Sequence, residues 1–489
     1  MKTHSSSGVR YYLALLVLVM PAVIGASSAV VRTQGDDGGK IDPYVLDQLA
    51  SNGQADIFVK MASDASLDGA EGIQDRNTRL QFVHDTLTSH ATRTQQAIRL
   101  FLRRRGVEFR PFWINNSLYV YGADEPLVQA LAQRSDVGYI RGDREVPMHT
   151  PVAEAPGQSE TDSVEWNIEL VQAPAVWALG YTGQGVVVAN IDTGVRYTHE
   201  ALVSSYRGNN GDGTFSHDYN WYDPAMDLPA PADNVGHGSH TMGIMVGGDG
   251  PGPFSGDIGV APDAQWIAAK GCGSLFCSEF RLIASAEWIL CPTRLDGSDP
   301  DCSKAPDIVN NSWGGAGGDN WYLSYIRAWL AAGIAPVFSV GNSGPDCGTA
   351  GSPGDYNLVA GVGATDADDV LADYSSKGPG GFRPLKPDIV APGSSVRSSI
   401  GSGDSAYAVF SGTSMAAPHV SGALALLLSA SPDADLRSLA NALRLGTETG
   451  LGAPPGPQTC GARPYDQFPN EIYGWGRLDA LSSILEMTQ

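Results

Sequence analysis

Three residues of this chain have the types and the order that nucleophilic attack on a carbonyl requires. Ser414 lies in Phe410-Ser-Gly-Thr-Ser-Met-Ala-Ala-Pro-His419. There Gly412 lets the backbone turn tightly, residues 415–417 read as the first turn of a helix, and Pro418 is still tolerated near its start. A serine at a helix start sits in the positive end of the helix dipole, which would stabilise an oxyanion forming beside it. Taken alone, such a serine reads more readily as a helix N-cap. His237 opens a second small-residue helix start in Asn234-Val-Gly-His-Gly-Ser-His-Thr-Met-Gly243, and Asp192 ends the apolar run that begins at Val186. A hydroxyl to attack, an imidazole to take its proton and a buried carboxylate to fix the imidazole's tautomer together make an acyl-transfer site. Aspartate, histidine, serine is one of the chain orders in which that trio occurs.

The elements that would position these residues are those of an α/β fold with a parallel sheet. Strand-like runs at 186–191, 265–270, 307–311, 334–340 and 358–364 alternate with helical stretches such as 278–290 and 321–332. Sites in such sheets gather at the carboxyl ends of the strands, where Asp192 and Asn342 both fall. From its own surroundings Asn342 reads as a turn asparagine before Gly344 as readily as a hydrogen-bond donor.

The motifs Asp192-Thr-Gly-Val, His237-Gly-Ser-His-Thr and Gly412-Thr-Ser-Met-Ala-Ala-Pro-His resemble those of the subtilisin-like serine peptidases, the subtilases. The likeness continues through Asn311-Ser-Trp-Gly-Gly, Ser339-Val-Gly-Asn342, Pro387-Asp-Ile-Val-Ala-Pro-Gly and Tyr473-Gly-Trp-Gly-Arg-Leu-Asp-Ala, and so spans residues 166–480. Trp166-Asn-Ile and the cysteine-bearing stretch before Pro306 look most like the bacillopeptidase F group. The resemblance implies a subtilisin-like three-layer fold with a mostly parallel central sheet, and a serine endopeptidase that forms an acyl-enzyme on Ser414. It implies that Asn342 and the Ser414 amide make the oxyanion hole, and that Ser312, Trp313 and Gly314 form an edge on which an extended peptide pairs. It also implies that Ser339, Val340 and Gly341 wall the pocket for the side chain before the scissile bond, with Gly351 at its floor. Trp313 stands where the family usually carries a smaller apolar residue, which would narrow a neighbouring pocket. No charged residue occurs in these segments, so an apolar or broad preference is expected. The chemistry implied requires no cofactor. Many subtilases hold structural calcium; here Ala201 replaces the carboxylate found nine residues after the catalytic aspartate, while the acidic loops 208–218 and 296–301 leave calcium open.

Lys2 and Arg10, the apolar run 11–24 and the small residues around Ala26 and Ala29 read as a signal peptide over 1–29, which makes the protein secreted and extracellular. An uncleaved anchor is the alternative, although the run falls short of the roughly twenty residues a span needs. No later segment reads as a membrane span, so no stable membrane partner is expected. Residues 30–150 read as a small α/β module: a strand at 56–61, a helix over 78–105 with Leu80, Val83, Leu87, Ala91, Ile98 and Leu102 on one side, a strand at 116–121 and a helix at 125–133. Ahead of a subtilase this looks like an inhibitory propeptide that assists folding, so the chain would be a zymogen; an unrelated N-terminal domain is the alternative. Residues 151–165 read as a linker that holds the maturation cleavage, leaving 166–489 as the catalytic domain.

Residues 30–150 hold 14 Lys and Arg against 16 Asp and Glu, whereas 151–489 hold 15 against 37, so the acidity belongs to the catalytic part. A phosphate backbone would be repelled, which argues against nucleic acid as a partner. The partners expected are protein or peptide substrates and the chain's own propeptide, with the protein a monomer. Six cysteines in an exported chain favour disulfides, among fifteen connectivities. Proximity suggests Cys272 with Cys277, Cys291 with Cys302, and Cys347 with Cys460; free thiols are the alternative. His240 could share a helical face with His237 and bind metal, but no HExxH pattern accompanies it, and it reads as a packed residue. Two other functions share these motifs: a catalytically silent binding protein on the same fold, and a peptide ligase or macrocyclase using the same acyl-enzyme.

Overall fold

In the computed structural model, which describes residues 39–149, 152–156, 163–225, 228–248, 257–273 and 276–488, a parallel sheet of seven strands forms the middle layer. Its order is Ile389–Pro392, Ala360–Thr365, Ala335–Ser339, Ile308–Asn311, Val187–Asp192, Gln265–Lys270 and Trp221–Tyr222. The central strands are near-continuous apolar runs because both faces are covered. Val188 packs with helices His237–Val246 and Thr413–Ala430 on one face, while Ala189 and Ile191 pack with Glu279–Leu290 and Leu323–Ala332 on the other, the two-residue alternation of a strand. From Val187–Asp192 the chain moves to Gln265–Lys270 on one side and later returns as Ile308–Asn311 on the other. The winding therefore reverses at the strand that ends in Asp192, and the crevice of such a sheet lies at that carboxyl end.

The five strands and two helices expected in this region occur within a few residues of their expected bounds. The edge strands Trp221–Tyr222 and Ile389–Pro392, of two and four residues, are too short to leave a periodic signal. Helix Thr413–Ala430 is long and apolar enough to cross a membrane by length and composition, contrary to the expectation for later segments; 83% of it is buried inside the fold, where it is the central core helix.

Residues ahead of this sheet form a four-stranded antiparallel sheet in the order Phe109–Phe112, Ser117–Asp124, Gln54–Met61 and Val137–Gly142. One face buries Ile57, Val59, Leu118 and Val120 against the module's own helices, together with Ile98 and Leu102. The single helix expected over 78–105 is two, Arg76–Thr94 and Gln96–Arg104. Gln95 between them is buried, and its side-chain nitrogen donates to the carbonyls of Phe112 and Ser117 and to Asn116 Oδ1. The stretch read as a linker contains a strand, Val152–Pro156, paired antiparallel with Tyr407–Ser411. The stretch 1–29 read as a signal peptide lies outside the described residues.

The second face of the antiparallel sheet carries Phe58, Phe112 and Tyr119 onto Phe280 of helix Glu279–Leu290, with the Tyr119 and Phe280 ring centroids 4.6 Å apart. Beside them Glu287 Oε2 accepts the backbone N–H groups of Trp113 at 2.7 Å and Ile114 at 3.1 Å. Arg141 meets Glu279 through two nitrogens, at 2.8 and 2.7 Å. This face and the parallel sheet belong to one unit, Lys40–Gln489.

Burial pushes the Glu287 carboxyl up from 4.5 to about 7, against the pull of Arg110 and of the Ile114 and Trp113 amides. A carboxyl raised on docking contributes fully below its free value and loses that contribution as pH rises through the docked one. In the Ser414→Ala chain, hydrogen exchange at the Trp113 and Ile114 amides is therefore expected to speed up between pH 4.5 and 7, beyond the intrinsic pH dependence. Glu287→Gln should flatten that excess, and Glu287→Ala should loosen both amides at every pH, by about 1–3 kcal/mol for each stranded N–H.

Candidate active site

Asp192 is the last residue of its strand, and His237 the first of helix His237–Val246, whose N-cap Gly236 has φ 95°, a left-handed conformation glycine adopts without strain. His237 Nδ1 donates to Asp192 Oδ1 at 2.8 Å, and both side chains are buried. The Thr193 amide donates to the same oxygen at 2.7 Å, and the Thr241 hydroxyl reaches Oδ2 at 3.4 Å. With Nδ1 committed, Nε2 is the basic nitrogen, and it has no hydrogen-bond partner among the described residues. The glycine after the histidine is a packing requirement: a Cβ on Gly238 would lie 2.1 Å from the Gly194 carbonyl oxygen.

Ser414 is the second residue of helix Thr413–Ala430 and is fully buried. Gly412 before it is extended, with φ 166°, so the entry is no left-handed turn. Pro418 lies inside the helix and cannot donate to the Ser414 carbonyl, which takes the Ser312 hydroxyl at 3.0 Å instead. Asn342 Oδ1 accepts the backbone N–H and the hydroxyl of Thr413 at 2.9 and 2.8 Å, which leaves the amide nitrogen as the end that can donate.

The Ser414 hydroxyl itself donates to the carbonyl of His149 at 3.1 Å and approaches that of Ser312 at 3.3 Å. His149 follows a segment laid along the cleft. Glu145–Pro147 pairs antiparallel with Phe276–Ser278, and Met148 bridges Trp313 in the same sense. The His149 imidazole shares a 2.7 Å hydrogen bond between its Nδ1 and Ser339 Oγ, and it lies against Gly314, where a Cβ would come within 3.0 Å of Cε1 and Nε2. Ser312, Trp313, Gly314 and Ser339 thus meet around this segment. Val340, Gly341 and Gly351 support the wall: Gly351 donates to the Val340 carbonyl at 2.9 Å, Gly341 has φ 115°, and a Cβ on Gly351 would lie 2.4 Å from the Gly315 carbonyl oxygen.

The subtilase family model matches residues 183–476, which holds all of these residues except the segment at 145–149. The chain belongs to the subtilase family. Bacillopeptidase F of Bacillus subtilis (strain 168) is 40% identical over 337 residues, which make up 67% of this chain and 22% of that protein. Subtilisin E of the same strain is 30% identical over 312 residues, 63% of this chain and 70% of the relative. M-protease of Shouchella clausii (strain KSM-K16) is 32% identical over 326 residues, 66% and 72% of the two chains. The chain thus spans about a fifth of the length of bacillopeptidase F.

In this subtilase the Trp313 indole also has a supporting contact within the fold. It is fully buried against Tyr322 and Phe338, and its Nε1 donates to the Ile191 carbonyl at 3.0 Å, bracing the strand end that carries Asp192. The cysteines pair as Cys272–Cys277, Cys291–Cys302 and Cys347–Cys460, and the first pair includes the middle residue of the edge strand Phe276–Ser278. His240 is buried and stacked on Phe410, with Nε2 near the carbonyls of Val396 and Ala408, and burial holds its imidazole down at about 3. Ala201 packs with Ile258 and Tyr407, and the Tyr407 hydroxyl donates to the neighbouring Glu200 carboxylate at 3.0 Å. In the acidic loops, Asp212, Asp296 and Asp301 accept hydrogen bonds from residues two further on, while Asp299 meets Arg294 at 3.2 Å. Among the described residues, the group with metal-ligand spacing, His84 with Cys291 and Cys302, has its thiols joined in a disulfide.

Sequence reasoning passed over Asp233. Its Oδ1 accepts from the Thr193 hydroxyl at 2.9 Å and from the amides of Val235 and Gly236 at 3.0 and 2.8 Å; its Oδ2 accepts from the Ser239 amide and hydroxyl, both at 2.8 Å. One carboxylate therefore holds the turn after Asp192 and the first turn of the His237 helix, at the helix end where negative charge is favoured. An acid four residues before a helix-opening histidine was its only mark in the sequence. Asp233→Ala is expected to lower stability by at least about 2 kcal/mol through stranded amides. It should also slow fluorophosphonate labelling of Ser414 about ten- to a hundredfold through misplacement of the base. Thermal unfolding and labelling rates measured on one preparation check both effects.

Proposed function

We propose that this chain is a secreted serine endopeptidase made as a zymogen, and that the bond between His149 and Thr150 is its first substrate. The 3.1 Å hydrogen bond from the Ser414 hydroxyl to the His149 carbonyl carries this reading. The chain is strand-paired to the cleft on both sides of that carbonyl, through Glu145–Pro147 before it and Val152–Pro156 after it. This is how an extended peptide bound by strand addition meets a nucleophile.

In the proposed reaction the Ser414 hydroxyl rotates to His237 Nε2 and gives up its proton as Oγ attacks the His149 carbonyl carbon. Asp192 stabilises the imidazolium, and the Asn342 side-chain nitrogen and the Ser414 amide hold the oxyanion. The imidazolium then protonates the departing amine of Thr150 as the C–N bond breaks. Water, deprotonated by His237, finally splits the ester at Ser414, returning the hydroxyl and leaving a carboxylate on His149. These steps require no cofactor. This reading moves maturation from residues 151–165 to the bond just before them. The pattern of residues 1–29 and the three disulfides, which persist in oxidising compartments, support export. The protein is read as a monomer whose partners are peptides and its own residues 30–149.

Purified wild type incubated alone is expected to yield a large fragment beginning at Thr150 and to take a fluorophosphonate on Ser414; Ser414→Ala should do neither. A fragment with another N-terminus would displace the assigned bond, and labelling of the alanine variant would displace the nucleophile. Asn342→Ala, with its fold verified by circular dichroism, should cut the rate about a hundred- to a thousandfold, the scale established for losing one oxyanion donor in a serine peptidase.

A further inference from the structure

We infer that Ser339 is a specificity-determining residue, and that its hydroxyl selects peptides with histidine on the acyl side of the scissile bond. The inference rests on reading residues 145–149 as a bound substrate. The uncharged wall pointed to an apolar or broad preference, but an uncharged wall need not be apolar. Ser339 is fully buried, and among the described residues its hydroxyl bonds to His149 Nδ1. A phenylalanine or leucine in the same place would leave that buried hydroxyl without this partner, a cost that an occupant with a matching nitrogen avoids. Sites built around a hydrogen bond reject analogues that lack it more strongly than apolar pockets reject a change of size.

Shape acts in the same direction. The Cε1 and Nε2 atoms of the ring lie close to Gly314, where a methyl group on the wall would come within 3.0 Å of both, so the glycine leaves the room the imidazole occupies. Burial and then the neighbouring His237 hold the His149 imidazole down at about 4, so the ring seated there is neutral. The rest of the segment alternates as a strand does: Val146 and Met148 are buried in the cleft while Glu145 and Pro147 face out. The preferred peptide is therefore aliphatic in the fourth position before the cut, methionine-like in the second, and histidine in the first.

The test uses the self-processed full chain and peptides of the sequence Glu-Val-Pro-Met-X-Thr-Pro-Val, with X as histidine, phenylalanine or histidine methylated on Nδ1. Fluorophosphonate titration counts the active sites in each preparation. Wild type is expected to favour histidine over both alternatives by about ten- to a hundredfold in kcat/KM. In Ser339→Ala the ratio of histidine to its Nδ1-methylated form should fall toward one. Within the chain itself, His149→Phe should slow self-cleavage by a similar factor. A titratable wild-type enzyme that is indifferent to Nδ1 methylation overturns the assignment, as does an unchanged ratio in Ser339→Ala. A wild-type chain that neither labels nor cleaves any peptide overturns the peptidase reading, and this inference falls with it.

Discussion

A buried imidazole can serve as a base only when one nitrogen is committed and the other left open, and here the hydrogen bond from His237 Nδ1 to Asp192 Oδ1 makes that commitment. A carboxylate with no solvent exposure is costly unless hydrogen bonds replace water, so the structure around Asp192 is largely a set of donors. The Thr193 amide and the Thr241 hydroxyl supply two of them. To keep the donors in place, Asp233 and the buried Lys270 grip the turn beyond Asp192, Lys270 through the Thr193 carbonyl. Trp313 holds the residue before it. The small residues of the histidine motif follow from the same need, since only glycine at 238 lets the helix approach the strand end closely.

The nucleophile has a different constraint. A helix that carries a proline five residues from its start leaves one carbonyl without its usual partner, and that carbonyl belongs to Ser414. Ser312 fills the gap, so the edge of the peptide cleft and the nucleophilic turn are tied by one hydrogen bond. Asn310, which donates to Ser312 Oγ and accepts from Ser421, extends the tie one helical turn beyond Pro418. A shift in the edge strand would be felt directly at the attacking residue.

How much of this was legible in the sequence follows from how local each signal is. The parallel sheet could be read because strands buried on both faces are unbroken apolar runs, and Asp192, His237 and Ser414 because each sits in a small-residue turn whose composition is unusual. Asp233 acts through side-chain hydrogen bonds to backbone groups, which leave no periodicity. Gln95 divides a helix by reaching carbonyls on another element, so the heptad-like run through it misleads. The seat of His149 depends on a contact 265 residues apart in the chain. Ser339 shows the same limit from the other side: its place in the wall was readable, but the role of its hydroxyl depends on which side chain meets it.

The charge distribution also takes on a purpose. Residues 30–150 are nearly neutral in sum, yet their arginines are placed where they meet acids of the catalytic part: Arg76 with Asp307 at 3.0 Å and Arg141 with Glu279 and Asp319 at 2.7 and 3.2 Å. The segment in the cleft offers no such cation, since its imidazole is held neutral. In the proposed zymogen the two kinds of contact divide the work. Ion pairs and the Phe58, Phe112 and Tyr119 face hold the module, while backbone pairing, the buried Val146 and Met148 and one side-chain hydrogen bond hold the peptide to be cut. Once the bond breaks, the tether that kept the peptide at high local concentration remains on the module's side of the cut. The new carboxylate at His149 would then face Ser414 and the oxyanion donors, so inhibition after cleavage depends on the module's own grip, and on the pH at which Glu287 ionises.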